Sequence, residues 1–196
     1  QLAIFGFTLW LLSQGSIVLG ETYISAEYFP LDDGNSWTYE VTGAFGTYNE
    51  TMTVLPGTTN INGVATKAIQ YSDGDVDYFS SGENGIRYHG NRDVNPPPIV
   101  TLTFAPPLVV ADGTMRIPEI INSSGTVWLT HETAGTFPLE YAATSATEAF
   151  ETVMVPAGTY DTIRLSDSTN IIGNIQGDPF DYTEWGDAWV AKYIGV

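Results

Sequence analysis

From Trp37 onward the chain changes character at every second residue. Trp37, Tyr39 and Val41 alternate with Thr38, Glu40 and Thr42, which is the period of a strand with one face buried and the other in water. The rhythm returns in Tyr48 to Val54, where Tyr48, Glu50, Met52 and Val54 alternate with Asn49, Thr51 and Thr53, and Pro56-Gly57 ends the run. Asn62-Gly63 opens the next run, Val64 to Tyr71, and Ser72-Asp73-Gly74-Asp75 is a hairpin turn of the Asp-Gly kind leading to Val76 and Tyr78. After a turn around Gly82 to Gly85, Ile86 and Tyr88 share one side and Arg87 and His89 the other. No heptads, internal repeat or amphipathic helix of useful length interrupt this pattern. It predicts one all-β domain over residues 21–196, an antiparallel sheet with little helix outside an apolar segment at the start.

Composition agrees. Aromatic residues make up 13% of the chain and charged residues only 15%, which favours a pleated, half-buried surface over helix. Six basic residues against twenty-three acidic ones give a formal charge of -17. Binding phosphate backbones or anionic membranes depends on Lys and Arg, so nucleic acid is excluded as a partner. The chain has no cysteine. Disulfides, thiol nucleophiles, thiolate metal sites and a lipid-modified cysteine are therefore ruled out, and cysteine usage says nothing about redox compartment.

Residues 2–12 form an uncharged apolar run, followed by Ser13 to Ser16 and Ile17-Val18-Leu19-Gly20. Eleven residues suit a signal-peptide core and fall short of the ~20 of a membrane-spanning helix. Two readings of residues 1–20 stand side by side: an export segment cut after Gly20, or a retained element packed into a membrane or a neighbouring subunit. Gln1 is no initiator, so the chain is read as lacking its original start. The protein is expected to be exported, periplasmic or extracellular.

Residues 91–125 carry Pro96-Pro97-Pro98, Pro106-Pro107 and Pro118. Proline cannot donate to a central ladder, so this stretch reads as an irregular connection, with Val100 to Phe104 and Leu108 to Val110 as edge strands. Thr126 to Thr133, Ala149 to Val155 and Tyr160 to Ser168 are strands again, with Pro156 to Thr159 as a turn. A loop from Gly173 to Asp181 precedes a last strand on which Trp185, Trp189, Ala191 and Tyr193 share a face.

The candidate sites are thin. Asp73, Asp75 and Asp77 resemble the first ligands of a calcium loop, but Tyr78 replaces the required glycine and Asn84 the bidentate glutamate. A solvated hairpin is the plainer reading, Ca2+ the lesser one, and no other cofactor is indicated. Asp178, Asp181, Glu184 and Asp187 read as a polar loop and strand face rather than a cation site. Glu132, Glu140, Glu148 and Glu151 offer carboxylates for glycoside hydrolysis without supporting spacing. His89 and His131 do not make a zinc site alone, and no Gly-x-Ser-x-Gly elbow is present. No catalytic residue is assigned. Asn49-Glu50-Thr51 and Asn122-Ser123-Ser124 fit the short glycosylation pattern. Trp37, Tyr39, Trp128, Trp185 and Trp189 are the candidate contact surface for an apolar ligand, with core packing as the alternative.

Three segments carry a resemblance. Tyr28-Phe29-Pro30-Leu31 with Gly34-Asn35-Ser36-Trp37-Thr38-Tyr39, Glu83-Asn84-Gly85-Ile86-Arg87-Tyr88-His89-Gly90, and Val155 to Thr162 with Trp189 to Lys192 and Gly195-Val196 resemble exported bacterial β proteins of uncharacterised function. That group is similar in architecture to the half-barrel of periplasmic lipoprotein carriers. The resemblance implies a strongly curved antiparallel sheet holding an apolar ligand, and a closing strand that continues past Val196. It brings no catalytic residues. The leading expectation is a non-enzymatic exported protein binding an apolar or amphipathic small molecule or lipid on a curved sheet. The alternative is a structural subunit of an extracellular filament or surface assembly, partnered by copies of itself through residues 1–20. A carboxylate-based hydrolase comes third.

Overall fold

The computed structural model describes residues 22–43 and 46–195. The apolar stretch 1–20 and the choice between its two readings lie outside them. Along the chain run β1 (Thr22–Ile24), α1 (Ser25–Tyr28), β2 (Ser36–Gly43), β3 (Gly46–Val54), β4 (Thr59–Ile61), β5 (Val64–Tyr71) and β6 (Val76–Gly82). They continue with β7 (Gly85–Asp93), β8 (Val100–Ala111), β9 (Thr114–Arg116), β10 (Glu119–His131), β11 (Gly135–Val155), β12 (Gly158–Ile175) and β13 (Asp178–Ala191). The protein is all-β, with one antiparallel sheet in the order β13-β12-β11-β10-β8-β7-β6-β5-β3-β2, curled into a half-barrel. Strand β4 pairs beside β5, and β1 and β9 form a separate two-stranded sheet.

The local chemistry explains the hairpins. Asn62-Gly63 and Gln176-Gly177 both place two consecutive residues at positive φ, 51° and 84° in the first and 56° and 97° in the second. That is the two-residue turn whose twist matches the flanking strands. The second pair corrects the expected loop at 173–181, because β12 runs on to Ile175 and β13 begins at Asp178. Gly173 belongs to the ladder, opposite Phe180, and lies where a Cβ would come within 2.6 Å of Leu139 Cδ2. What looked like loop glycine is a close-packing glycine.

The proline-rich stretch 91–125 is corrected in the same way. Strand β8 is central, paired with β7 on one side and β10 on the other. Pro106 and Pro107 fall where the register with β7 jumps, Gly90 facing Thr103 and Tyr88 facing Leu108. The two prolines sit in a bulge, where the missing N–H breaks no ladder bond with β7. The bulge is supported from β11, whose Tyr141 hydroxyl donates to the Pro106 carbonyl at 2.6 Å.

A curled sheet has a concave face to fill. One end is plugged by β1, α1 and the segment around β9. Tyr28, Met115 and Ile117 pack there against Ile86, Ile163 and Val190 of the sheet, and the Tyr23 ring stacks on Phe150 at 5.7 Å. From the plug a row of rings crosses the concave face: Phe29 to Phe79 at 5.0 Å, Phe79 to Tyr88 at 5.0 Å, Tyr88 to Phe104 at 5.7 Å and Phe104 to Tyr141 at 5.0 Å. It leads into a second cluster of Leu102, Val127, Leu129, Leu139 and Ile171. The sheet's two edges meet at the plugged end. Trp37 Nε1 of β2 donates to the Ile194 carbonyl just after β13, and the Tyr193 amide donates to the Glu27 carbonyl of α1 at 2.5 Å. Lys192 and Glu27 add an ion pair at 2.9 Å.

Gly90 offers a sharp test of the bulge. Its φ is +139°, and a Cβ there would lie 1.9 Å from the Leu102 carbonyl oxygen. Gly90→Ala is expected to lower stability by about 3 kcal/mol or more, read as a fall in the urea midpoint. Gly57→Ala, at φ +84° with open space around it, should cost only about 1 kcal/mol.

Candidate functional site

The concave face between the plug and the second cluster encloses a cavity of about 330 Å3. Its position follows from the phase of the strands. Along β12 the inward residues run Ile163, Leu165, Asp167, Thr169 and Ile171, and along β13 they run Val190, Ala188, Glu184 and Tyr182. The wall is therefore apolar beside the plug and turns acidic about 13 Å further along β12, at ~3.3 Å per residue. Strands β6 and β7 repeat the change, from Phe79, Ile86 and Tyr88 to Asp77, Asn91 and Asp93.

The acidic band is tied into place by its neighbours. Asp77 accepts from the Tyr71 hydroxyl at 2.6 Å and from the Tyr88 hydroxyl at 3.1 Å, one on each carboxylate oxygen. Asp93 accepts from Asn91 Nδ2 at 2.6 Å, and Asp75 Oδ1 accepts from the backbone N–H of Val94 at 2.6 Å. Burial pushes the Asp77 carboxyl up to about 6 although both tyrosines favour its charged form, and Asp75 adds to the rise. Asp93 is raised to about 6 by burial and then by Asp75 and Asp77. Glu184 is raised to about 7, first by burial and then by Asp167, Asp77 and Asp93. Asp167 lies at the water-exposed part of the wall.

Two polar groups on this face are left over. Asn91 is 6% exposed, and its Oδ1 has no hydrogen-bond partner. Glu50 of β3, opposite Tyr39 in the ladder and 2% exposed, has one carboxylate oxygen in the same condition. Burial, then Asp73 and Asp75, displace the Glu50 carboxyl upward.

Of the aromatic contact surface expected from the sequence, Trp37 lines the cavity. Tyr39 packs against the cluster of Met52, Val54 and Ile69, and burial pushes its phenol upward. Trp128 is 44% exposed between the buried Val127 and Leu129, so it projects from the outer face. Trp185 is 70% exposed, and Trp189 donates to Glu151 Oε1 at 2.5 Å, both opposite in phase to the cavity-lining Glu184, Ala188 and Val190. The structure thus places Trp37 and Tyr39 on the concave side and the other three tryptophans away from it. Asp73, Asp75 and Asp77 all border the cavity, with Asp73 Oδ1 accepting from the Asp75 amide at 3.0 Å. Among the described residues no group of three or more acidic or histidine side chains has the geometry to hold a metal ion.

The remaining candidates lie elsewhere. Glu132 accepts from the Ile99 amide at 3.1 Å, and Glu148 and Glu151 face Arg164 at 2.6 and 3.8 Å. His89 is buried beside the Ser80 hydroxyl at 2.8 Å, whereas His131 accepts turn amides of Thr133 and Ala134, each at 3.2 Å. Asp167 is the residue that strand reading missed, and Glu184, read there as part of a polar loop and strand face, lines the cavity. The available signal was an acid standing in phase with apolar neighbours, Asp167 between Leu165 and Thr169-Ile171.

No family model, curated protein or solved structure matches the chain.

The raised carboxyls set the pH response. Each binds its proton more tightly folded than unfolded, so its stabilising contribution is complete below the ordinary value and is lost as pH rises through the folded value. For Glu184 that window runs from 4.5 to about 7. The urea midpoint is expected to fall across it, and Glu184→Gln should flatten the fall and raise the midpoint at about pH 8.

Proposed function

We propose that the protein is a non-enzymatic, exported binding protein that takes an amphipathic ligand in the concave cavity. The observation that carries this reading is the graded wall. Leu165, Val110 and Phe79, apolar and half-buried on the lining, offer surface for a tail, and a polar band begins further along the same wall. A cavity of about 330 Å3 falls within the ~300–1,000 Å3 of small-molecule sites, which pair a mostly apolar lining with a few fixed polar groups. The tyrosine pair on Asp77 and the amide on Asp93 supply that fixing, so the polar groups need little reordering on binding.

Self-assembly is a second reading with one observation behind it. Among the described residues β2 and β13 end the strand order, each with a ladder on one side. Edges of that kind accept strands from another chain. Deleting residues 1–20 should abolish assembly on this reading, and assembly that survives the deletion removes it.

Extraction of protein purified without detergent, followed by mass spectrometry, should recover an amphipathic molecule in near-equal amount. An interior that yields none and binds no fluorescent apolar probe overturns the binding reading. Ser145, half-buried on the cavity wall, is the place to block it. Ser145→Trp should weaken probe binding about tenfold or more, a loss of ~1.4 kcal/mol or greater, with thermal unfolding still cooperative.

A further inference from the structure

The cavity is furnished with acceptors and negative charge and has no cation of its own. The chain has six basic residues, and none of them lines it. Lys67 is engaged with Asp33, Arg87 lies 3.5 Å from Asp112, Arg164 2.6 Å from Glu148 and Lys192 2.9 Å from Glu27. Four of the six are thus paired with carboxylates elsewhere, while Asp77, Asp93, Asp167 and Glu184 face the same space without a cation lining it.

A cluster of acids alone would be a solvated surface. Here a second observation points inward. Asn91 lines the cavity, is 94% buried by its 6% exposure, and has its amide N–H committed to Asp93 at 2.6 Å. That bond fixes which way the amide faces and leaves Oδ1 as an acceptor without a donor. A buried acceptor with nothing to accept is costly. The Tyr71 and Tyr88 hydroxyls do not serve it, since both donate to Asp77. The missing component is a donor that carries positive charge.

We infer that the polar band of the cavity binds the protonated amine head of an amphipathic ligand, with its alkyl tail against Leu165, Val110 and Phe79. The inference rests on the binding function proposed above and adds the class of ligand. An ammonium has three N–H donors and no acceptor, which complements Asn91 Oδ1 and the carboxylates of Asp93 and Glu184. It also supplies the charge that lets those carboxyls ionise without repelling one another. A neutral head satisfies the acceptor but leaves the charge, and an anionic head adds to it. A bare divalent ion leaves the apolar wall unused and has no group of three ligands among the described residues.

Three probes with the same tail separate the outcomes: decylamine, decanol and decanoate, titrated calorimetrically into the intact protein at about pH 8, where the amine is charged. Decylamine should bind about tenfold or more tightly than decanol, a difference of ~1.4 kcal/mol or greater, and decanoate least well. Glu184→Gln should narrow the amine-to-alcohol gap, the loss falling on decylamine. Asp167→Asn, at an exposed position, makes the same test where folding is not at stake. Decanol binding as tightly as decylamine, or a gap that both variants leave intact, overturns the amine assignment and leaves the apolar binding function standing. Failure of all three probes to bind overturns both.

Discussion

The row of rings from Phe29 through Phe79, Tyr88 and Phe104 to Tyr141 is the element on which the curled sheet depends. A sheet rolled this far has too little material on its concave side to form a second layer, and side chains from its own strands must fill the space. The rings do so as a diagonal, each from a different element: the segment after α1, then β6, β7, β8 and β11. Their spacing of 5.0 to 5.7 Å is the range in which tilted and edge-on rings attract. A diagonal fills one band of a concave surface and leaves another. The cavity is the band left over, bounded by the rings on one side and by β12 and β13 on the other.

The acidic residues of that band are coherent with the rest of the charge distribution. A protein with a formal charge of -17 pays for compactness through self-repulsion. Here part of the repulsion is concentrated inside, where burial first, and neighbouring carboxylates second, lift Asp77, Asp93 and Glu184 above the ordinary carboxylate range. The tyrosines on Asp77 act against that rise, and burial outweighs them. Near neutrality that leaves Glu184 close to half-protonated beside carboxyls that are mostly ionised, a repulsion that a proton or a cation relieves.

Much of the fold was legible in the sequence because period-two alternation and Gly-containing turns speak for themselves. Trp37 and the Ser72-Asp73-Gly74-Asp75 turn stand where the alternation put them, and the turn expected over Pro156 to Thr159 tightens to Pro156-Ala157. Proline misled at 106–107, since a bulge inside a central strand tolerates a residue that a regular ladder does not. The site was less legible. Period two says that Trp185 and Glu184 face opposite ways, but not which way is in. Large aromatics argued for the tryptophan face, and the register with β12 settles it the other way, with Ala188 opposite Leu165 and Tyr182 opposite Ile171 on the concave side. Asn91 gave no signal in sequence, because its unmatched oxygen exists only through the Asp93 bond and burial.

The meeting of the sheet's edges has a temporal consequence. Trp37 and Ile194 are 157 residues apart, while most of the sheet is assembled from adjacent hairpins. Local pairings form early and distant ones wait for the chain between them to be ordered. The Trp37–Ile194 contact, which links the ends of the strand order without pairing them, is therefore expected to form late, after the hairpins.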